Sequence, residues 1–459
     1  MNEQAATAAG PEAAKAAREG EGGLQAEQTK TEQVKAGHKE FLFPCAPPLY
    51  KDPLVLVEGN GVMVRDSEGR EFLDFFSGIL STSLGHCHPE VVERVQQQLG
   101  TLGHVSTLYM NENQVETARR LADIAPGKLK RSFFTNSGTE AVETAVMAAC
   151  LYTGRSEILA LRYAYSGRSF LATNITAQAP WRPLAGSVPG IKHVLSPYPY
   201  RCPFRTPCDD SCVEAFAHDL EEAILTTTTG KPAAFMAETI QGAGGYIVPP
   251  PGYFQRAVEI IHNYGGVFIC DEVQAGFGRT GEKWFGIEHW GVEPDIMVMA
   301  KGIANGLPVG ATIARDEIAE AWTAKTISTF GGNPISMAAA AKTLEVMARE
   351  DVPARSAVRG KQLRDGLDGL YDQHVWIGEV RGMGLMQALE LVEDRQSKEP
   401  SPGKAAALLE AAKEEGLLLG VGGLNGNVIR MGPSMLITEA EVAEALERLG
   451  RACRRVDAA

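Results

Sequence analysis

The sequence predicts an α/β protein built on a doubly wound, mostly parallel sheet. Residues 267–270 and 296–300 form continuous apolar runs that are short and lack the alternation of a half-exposed strand. Runs of this kind are typical of strands buried on both faces, which occur in parallel sheets covered by helices. From about His88 to Val346 such runs alternate with helical patterns, the order expected of a doubly wound sheet.

Each of the two apolar runs leads directly into a charged residue. The first run ends at Asp271 and the second at Lys301. In open parallel sheets, ligands bind beyond the carboxyl ends of the strands, so we expect these two side chains at one edge. An amine that forms a Schiff base and a carboxylate that keeps a pyridine nitrogen protonated are the groups that hold pyridoxal phosphate. Two residues alone do not decide between this role and the alternative, in which Lys301 is an exposed lysine and Asp271 has no joint function with it.

A third segment favours the cofactor. A predicted strand leads straight into Ser137, Gly138 and Thr139, and a helical pattern follows. A helix start that carries glycine and hydroxyl side chains offers backbone N–H groups and the positive end of the helix dipole to a phosphate. An ordinary N-cap would use the same residue types. Because the same chain also carries the amine of Lys301 and the carboxylate of Asp271, the segment predicts a pyridoxal phosphate site.

Three motifs resemble those of the class III aminotransferases, which are fold type I enzymes dependent on pyridoxal phosphate. They are residues 136–141, 271–281 and 299–302, and the resemblance extends from about Phe41 to about Leu449. The resemblance implies a large cofactor-binding domain and a small α+β domain that is built from both ends of the chain.

Four segments of the chain are predicted on this basis. Residues 1–40 are expected to be a mobile N-terminal extension, with a marginal exposed helix as the alternative, because the segment is rich in Ala, Glu, Gln and Gly. Residues 41–87 form the N-terminal segment of the small domain, 88–346 the large domain, and 347–459 the C-terminal part of the small domain.

The resemblance also implies roles around the cofactor ring. Tyr165 follows a predicted strand and is expected to stack on the pyridine ring, a favourable geometry for an aromatic side chain. Val273 is expected to pack on the other face, and Gln274 to donate a hydrogen bond to the phenolic oxygen. Ser166 stands where the family most often has histidine, which leaves no imidazole at that position.

Two further residues are implied to bind substrate. Arg430 lies inside an apolar strand pattern, and in the family the matching arginine holds the substrate carboxylate. Glu238 ends another predicted strand and is expected to pair with Arg430 when the bound amine has no carboxylate there. Thr239 stands after Glu238 where a proline is common in the family. The alternative for Glu238 and Arg430 is an ordinary ion pair at the surface.

Thr329 is expected to reach the phosphate bound by a second chain, which implies a homodimer with shared active sites and leaves a tetramer open.

The predicted function is transfer of an amino group from an amino acid or ω-amine to pyruvate or glyoxylate. The loop at 196–212 resembles most closely the alanine–glyoxylate and β-amino-acid–pyruvate branch. A 4-aminobutyrate or diamine aminotransferase that uses 2-oxoglutarate is an alternative. A pyridoxal-phosphate-binding regulator without turnover is a second alternative, although the first forty residues are too poor in large apolar residues for a helix-turn-helix domain.

Charge and hydropathy argue against two classes of partner. The formal net charge is -13, and no basic block appears, so nucleic acid is not expected to bind. No apolar stretch approaches the roughly 20 residues that span a bilayer, and no secretory leader pattern is present. A cytoplasmic protein without membrane partners is therefore expected.

Three cysteines cluster in a proline-rich segment, at Cys202, Cys208 and Cys212. Closely spaced cysteines can bind zinc, but the sequence shows no fourth ligand at a recognisable spacing. The interpretation favoured from the sequence is therefore a structural loop without a metal.

Overall fold

The computed structural model describes residues 29–184, 188–204 and 208–458. The α-helices of five or more residues are α1 Lys30–Phe41, α2 Pro89–Thr101, α3 Glu112–Ile124, α4 Gly138–Thr153, α5 Phe170–Ile175, α6 Asp210–Thr227, α7 Tyr253–Asn263, α8 Asp316–Glu320, α9 Pro334–Arg349, α10 Val352–Gln373, α11 Pro402–Glu414 and α12 Glu439–Asp457. A single irregular turn of helix lies at Ser77–Leu80. The strands are β1 Leu56–Asn60, β2 Met63–Asp66, β3 Glu71–Asp74, β4 Arg131–Thr135, β5 Ile158–Leu161, β6 Ile191–Val194, β7 Ala234–Glu238, β8 Val267–Asp271, β9 Ile296–Met299, β10 Gly310–Ala314, β11 Ile377–Met383, β12 Met386–Leu391, β13 Leu417–Leu418, β14 Gly420–Gly422 and β15 Val428–Met431.

The largest sheet has seven strands in the order β4-β10-β9-β8-β7-β5-β6. Strand β10 runs antiparallel to both of its neighbours, whereas β9, β8, β7, β5 and β6 pair in parallel. The predicted α/β class with a mostly parallel sheet is confirmed. The antiparallel β10 was not predicted, because an apolar run gives no information about strand direction.

Both faces of this sheet are covered by helices. Met236 and Ile269 belong to an apolar cluster that also contains the buried face of α4. The alternate residues Phe235 and Phe268 stack on each other at 5.9 Å, and Phe254 of α7 lies 5.9 Å from Phe268. Successive strand residues point to opposite faces, so this alternation explains why the strands are uniformly apolar.

Two smaller sheets have the orders β1-β2-β3-β13 and β11-β12-β15-β14. In the first, Leu417 of β13 pairs in parallel with Leu73 of β3, so residues far apart in the chain share one sheet. The contacts divide the described chain into two units, one comprising 29–56 and 66–69, the other 57–65 and 70–458. The predicted boundaries at 88 and 346 stay a prediction.

The predicted N-terminal extension is described only from Thr29 onward; residues 1–28 lie outside the described part. Helix α1 follows directly, and the Thr29 hydroxyl accepts a hydrogen bond from the backbone N–H of Glu32, whose carboxylate accepts one from the Thr29 N–H. This reciprocal cap satisfies two donors that a helix start leaves unpaired. The part of the predicted extension from Lys30 is thus helical. No helix of the described ranges has the length and apolar character needed to cross a bilayer.

Candidate active site

A cavity of about 320 Å³ lies where β7, β8 and β9 end. In the large sheet Glu238 pairs with Asp271 in register, which brings two strand-end carboxylates side by side. Lys301 directly follows the exit of β9. The cavity collects nine of the eleven residues that the sequence assigns to the site: Ser137, Gly138, Thr139, Tyr165, Glu238, Asp271, Val273, Gln274 and Lys301.

Lys301 is held in an uncommon backbone conformation. Its φ is 46°, in the left-handed region that non-glycine residues rarely adopt, and a short 3₁₀ turn, Lys301–Ala304, begins there. Such a conformation costs on the order of 1–3 kcal/mol, so the surrounding structure must fix it. The residues that follow it, Gly302 and Ile303, are buried, and Lys301 lines the cavity.

The electrostatics of the cavity suit one additional cation. Burial lowers the pKa of Lys301, and the negative charges of Asp271 and Glu238 oppose that shift. Burial raises the pKa of both carboxyl groups, and the charge of Asp271 raises that of Glu238 further. Burial thus disfavours the charged form of both carboxyl groups, with a pKa of about 6 for Asp271 and about 8 for Glu238. A pyridinium nitrogen beside Asp271 would stabilise its charged form, so the donor set fits pyridoxal phosphate.

The start of α4 forms another wall of the cavity. Ser137 is its N-cap, and its hydroxyl accepts a hydrogen bond from the Glu140 N–H. Thr139 packs so closely on Gly167 that a Cβ at residue 167 would lie 2.4 Å from the Thr139 hydroxyl oxygen. The α4 start thus combines hydroxyl groups, first-turn amides and a helix of 16 residues. These are the features that bind a phosphate group.

The two residues predicted to flank and contact the ring also reach the cavity. Tyr165 is half-buried, and its ring stands edge-on to Trp181, with centroids 5.5 Å apart. Gln274 is half-buried and lines the cavity, and its Oε1 is buried without a hydrogen-bond donor in the described part of the chain. The donation predicted from its amide N–H to the phenolic oxygen stays a prediction.

Arg430 and Glu238 do not form an ion pair in this structure, and the pairing expected when a bound amine has no carboxylate there stays a prediction. The Glu238 carboxylate accepts hydrogen bonds from the N–H groups of Tyr165 and Gly242, at 2.9 and 2.7 Å. Arg430 donates to the carbonyl oxygens of Gly242 and Val421, at 3.1 and 2.8 Å. Both side chains are buried, so a surface ion pair is not present either. Among the described residues, no carboxylate lies within ion-pair distance of Arg430.

Thr329 lies away from the cavity of its own chain and is exposed. The role implied for it, contact with a phosphate bound by a second chain, stays a prediction. The structure adds Ser81 and Asn136 to the cavity wall and places Tyr246 beside Arg430, 5.7 Å from ring centroid to guanidinium carbon. The Tyr246 hydroxyl is buried and has no partner in the described ranges. The preceding glycine pair signals a tight turn at Tyr246, but nothing in the sequence links it to Arg430.

Comparisons with known proteins place the chain in a family. Residues 47–453 match the family model "Aminotransferase class-III". The chain is 42% identical over 417 residues to "Alanine--glyoxylate aminotransferase 2 homolog 2, mitochondrial" of Arabidopsis thaliana, covering 91% of this chain and 86% of that protein. It is 38% identical to "Acetylornithine aminotransferase" of Methanopyrus kandleri, covering 88% of this chain and 95% of that protein.

A solved structure agrees with the sequence comparisons. The (S)-enantioselective omega-transaminase from Thermomicrobium roseum superimposes with a TM-score of 0.85 at 34% identity, covering 94% of this chain and 99% of that one. The family match spans nearly the whole chain, and the cavity holds the amine, carboxylate and helix start that the cofactor needs. The chain belongs to the class III aminotransferases and is a pyridoxal-phosphate-dependent transaminase.

Proposed function

We propose that this transaminase moves an amino group from an amino acid or ω-amine to pyruvate or glyoxylate. The observation that carries the proposal is Arg430, a buried guanidinium beside the cavity without a carboxylate partner among the described residues. Its charge acts on Lys301, where it lowers the pKa of the amine. A guanidinium in this position is suited to a carboxylate of the acceptor.

The cavity favours acceptors with a single carboxylate. Of the described residues that line it, Lys301 alone has a cationic side chain. A second carboxylate, as in 2-oxoglutarate, would have to be buried without a second guanidinium or amine, which is costly. The similarity to a protein named alanine–glyoxylate aminotransferase supports the same choice.

Lys301, Asp271 and Arg430 each have a different role in the proposed reaction. When bound, pyridoxal phosphate supplies an aldehyde that condenses with amines and a ring that accepts the electron pair of a broken bond. Lys301 holds and moves the proton at the substrate carbon that bears nitrogen, because burial lowers its pKa and favours the neutral amine. Asp271 supplies the negative charge, and Arg430 orients the carboxylate.

The half-reactions test this function directly. The visible absorbance of the purified holoenzyme is expected to bleach with L-alanine or β-alanine and to return with pyruvate or glyoxylate. Recovery with 2-oxoglutarate alone would support the 4-aminobutyrate or diamine alternative instead. A band that no amine changes would favour a regulator without turnover.

An Arg430→Gln variant gives this experiment a second arm. The recovery step with pyruvate is expected to slow about 10- to 100-fold at low concentration, because a charge-assisted hydrogen bond contributes about 1.5–3 kcal/mol. Bleaching by an amine that has no carboxylate is the internal control and is expected to keep its rate. Equal losses with both reactants would contradict a carboxylate-binding role for Arg430.

The proposal includes a homodimer with shared active sites, formed in the cytoplasm. Exposed apolar side chains support it. Phe330, next to Thr329 in the chain, is 60% exposed, and Met110 and Leu108 are 99% and 74% exposed. The latter two precede Asn111, whose amide donates to the carbonyl oxygen of Gly332. Exposed apolar side chains of this size are typical of surfaces that another chain covers. Light scattering is expected to give twice the chain mass, or four times if dimers pair. A monomer that turns over would contradict the shared site.

A further inference from the structure

We propose that Cys202, Cys208 and Cys212 bind one Zn²⁺ through their thiolates, with Asp209 as the fourth ligand. This site would tie the loop before α6 to the first turn of that helix. A short 3₁₀ turn, Pro199–Arg201, leads into Cys202, and Asp209 and Cys212 lie at the N-cap and in the first turn of α6. The site is separate from the cofactor cavity, whose lining includes none of the four residues.

The three sulfur atoms are already close to the spacing of a zinc site. All three Sγ atoms lie within 4.8 Å of one another. The Sγ atoms of Cys202 and Cys212 are 3.5 Å apart. Tetrahedral zinc with Zn–S bonds of about 2.3 Å places neighbouring sulfurs about 3.8 Å apart. The thiols therefore need only small side-chain movements to bind one ion.

The proposed fourth ligand is the exposed side chain of Asp209. Its Oδ1 is 3.9 Å from the Cys212 Sγ, and a carboxylate oxygen is an accepted zinc ligand. It lies outside the group of three sulfurs that are all within 4.8 Å of one another, so it must move towards Cys202 and Cys208 to complete the site. The same oxygen accepts hydrogen bonds from the N–H and hydroxyl of Ser211, which orient the carboxylate. From the sequence, Asp209 is indistinguishable from an ordinary helix cap, which is why the sequence offered no fourth ligand.

The number of thiols favours a metal over a disulfide. One disulfide would use two of the three and leave the third thiol packed against it, whereas one ion uses all three. The helix side of the site is apolar, because Cys212 is 1% exposed and Phe216 of the same helix is fully buried, whereas Cys202 and Cys208 are half-buried. Phe204 packs edge-on against Phe216, with centroids 5.0 Å apart. An apolar shell limits the access of water to the ion.

The neighbouring residues indicate what the metal would stabilise. Arg201 forms an ion pair of 2.5 Å with Glu390 of β12, and the Tyr198 hydroxyl donates to the same carboxylate. Both residues belong to the segment that ends at Cys202. A zinc ion would fix this segment, so its loss is expected to lower thermal stability while the cofactor cavity keeps its residues.

The zinc content of the untagged holoenzyme tests the proposal. Elemental analysis is expected to find about one zinc ion per chain, and X-ray absorption is expected to show three sulfur neighbours at about 2.3 Å. Cys208→Ser and Cys202→Ser variants are expected to lose about nine-tenths of the metal, in the way that removal of a ligand weakens a structural site. Cys45→Ser is the matched control, since Cys45 is exposed and outside the cluster, and it is expected to retain the ion.

Three results would overturn the site. Zinc that stays at the same level in the cluster variants would be an adventitious ion only. Protein without zinc, and with two thiols fewer than the eight cysteines under denaturing, non-reducing conditions, would show a disulfide. Protein without zinc in which all eight thiols react would show free cysteines. The visible absorbance of the cofactor establishes in each variant that the fold is intact.

Discussion

The Lys301→Ala variant is expected to lose at least about 10⁴-fold in turnover while the protein still folds, because its amine is both the bonding partner of the cofactor and the general base. The structure gives the reason for so large an effect. Burial lowers the pKa of Lys301, and among the described lining residues no second amine is present. Single-turnover kinetics with L-alanine measure the loss.

Two comparisons separate this chemistry from a loss of structure. Lys128→Ala removes an exposed lysine and is expected to leave both turnover and the thermal midpoint unchanged. A small primary amine added to Lys301→Ala is expected to restore part of the proton transfer, since the cavity left by the side chain can admit it. Turnover by the variant at a tenth of the normal rate would refute the role assigned to Lys301.

The core of the site was predictable because it depends on strand ends. A buried parallel strand can be recognised from its apolar run, and the residue that follows it must emerge at the carboxyl edge of the sheet. Asp271, Lys301 and Glu238 follow this rule, and the structure places all three at one cavity. The Ser137–Thr139 segment follows a related rule, since the first turn of a helix after a strand lies at the same edge.

The backbone partners of Glu238 and Arg430 could not be predicted in the same way. Whether two charged side chains pair depends on the backbone groups that compete for them. Here the N–H groups of Tyr165 and Gly242 occupy the Glu238 carboxylate, and two carbonyl oxygens occupy Arg430. These groups come from separate loops, and no local pattern in the sequence specifies how they meet. The direction of β10 escaped prediction for a similar reason, since strand pairing is a long-range property.

The Asp271→Asn variant is expected to lose about 10²–10³-fold in turnover, the magnitude typical of removing one preorganised electrostatic partner from an active site. Asn has nearly the shape of Asp but cannot carry a negative charge. Asp271 accepts a hydrogen bond from the Val273 N–H at 3.0 Å, and it lies in register with Glu238. The substitution therefore removes the charge expected to face the pyridine nitrogen while it preserves most of the packing.

A second aspartate on the same sheet provides the matched control. Asp295, directly before β9, is also buried and binds Arg315 and His262 at 2.9 and 2.7 Å. Asp295→Asn is expected to lower the thermal midpoint, because it removes the charge of a buried carboxylate that pairs with the partly exposed Arg315, yet to keep turnover per folded chain. Asp271→Asn is expected to keep the thermal midpoint and to lose turnover per folded chain. A pyridoxal phosphate analogue methylated on the ring nitrogen carries a permanent positive charge, so it is expected to restore part of the lost rate in Asp271→Asn. If the analogue restores nothing and the midpoint falls as in Asp295→Asn, Asp271 supports the fold and not the cofactor.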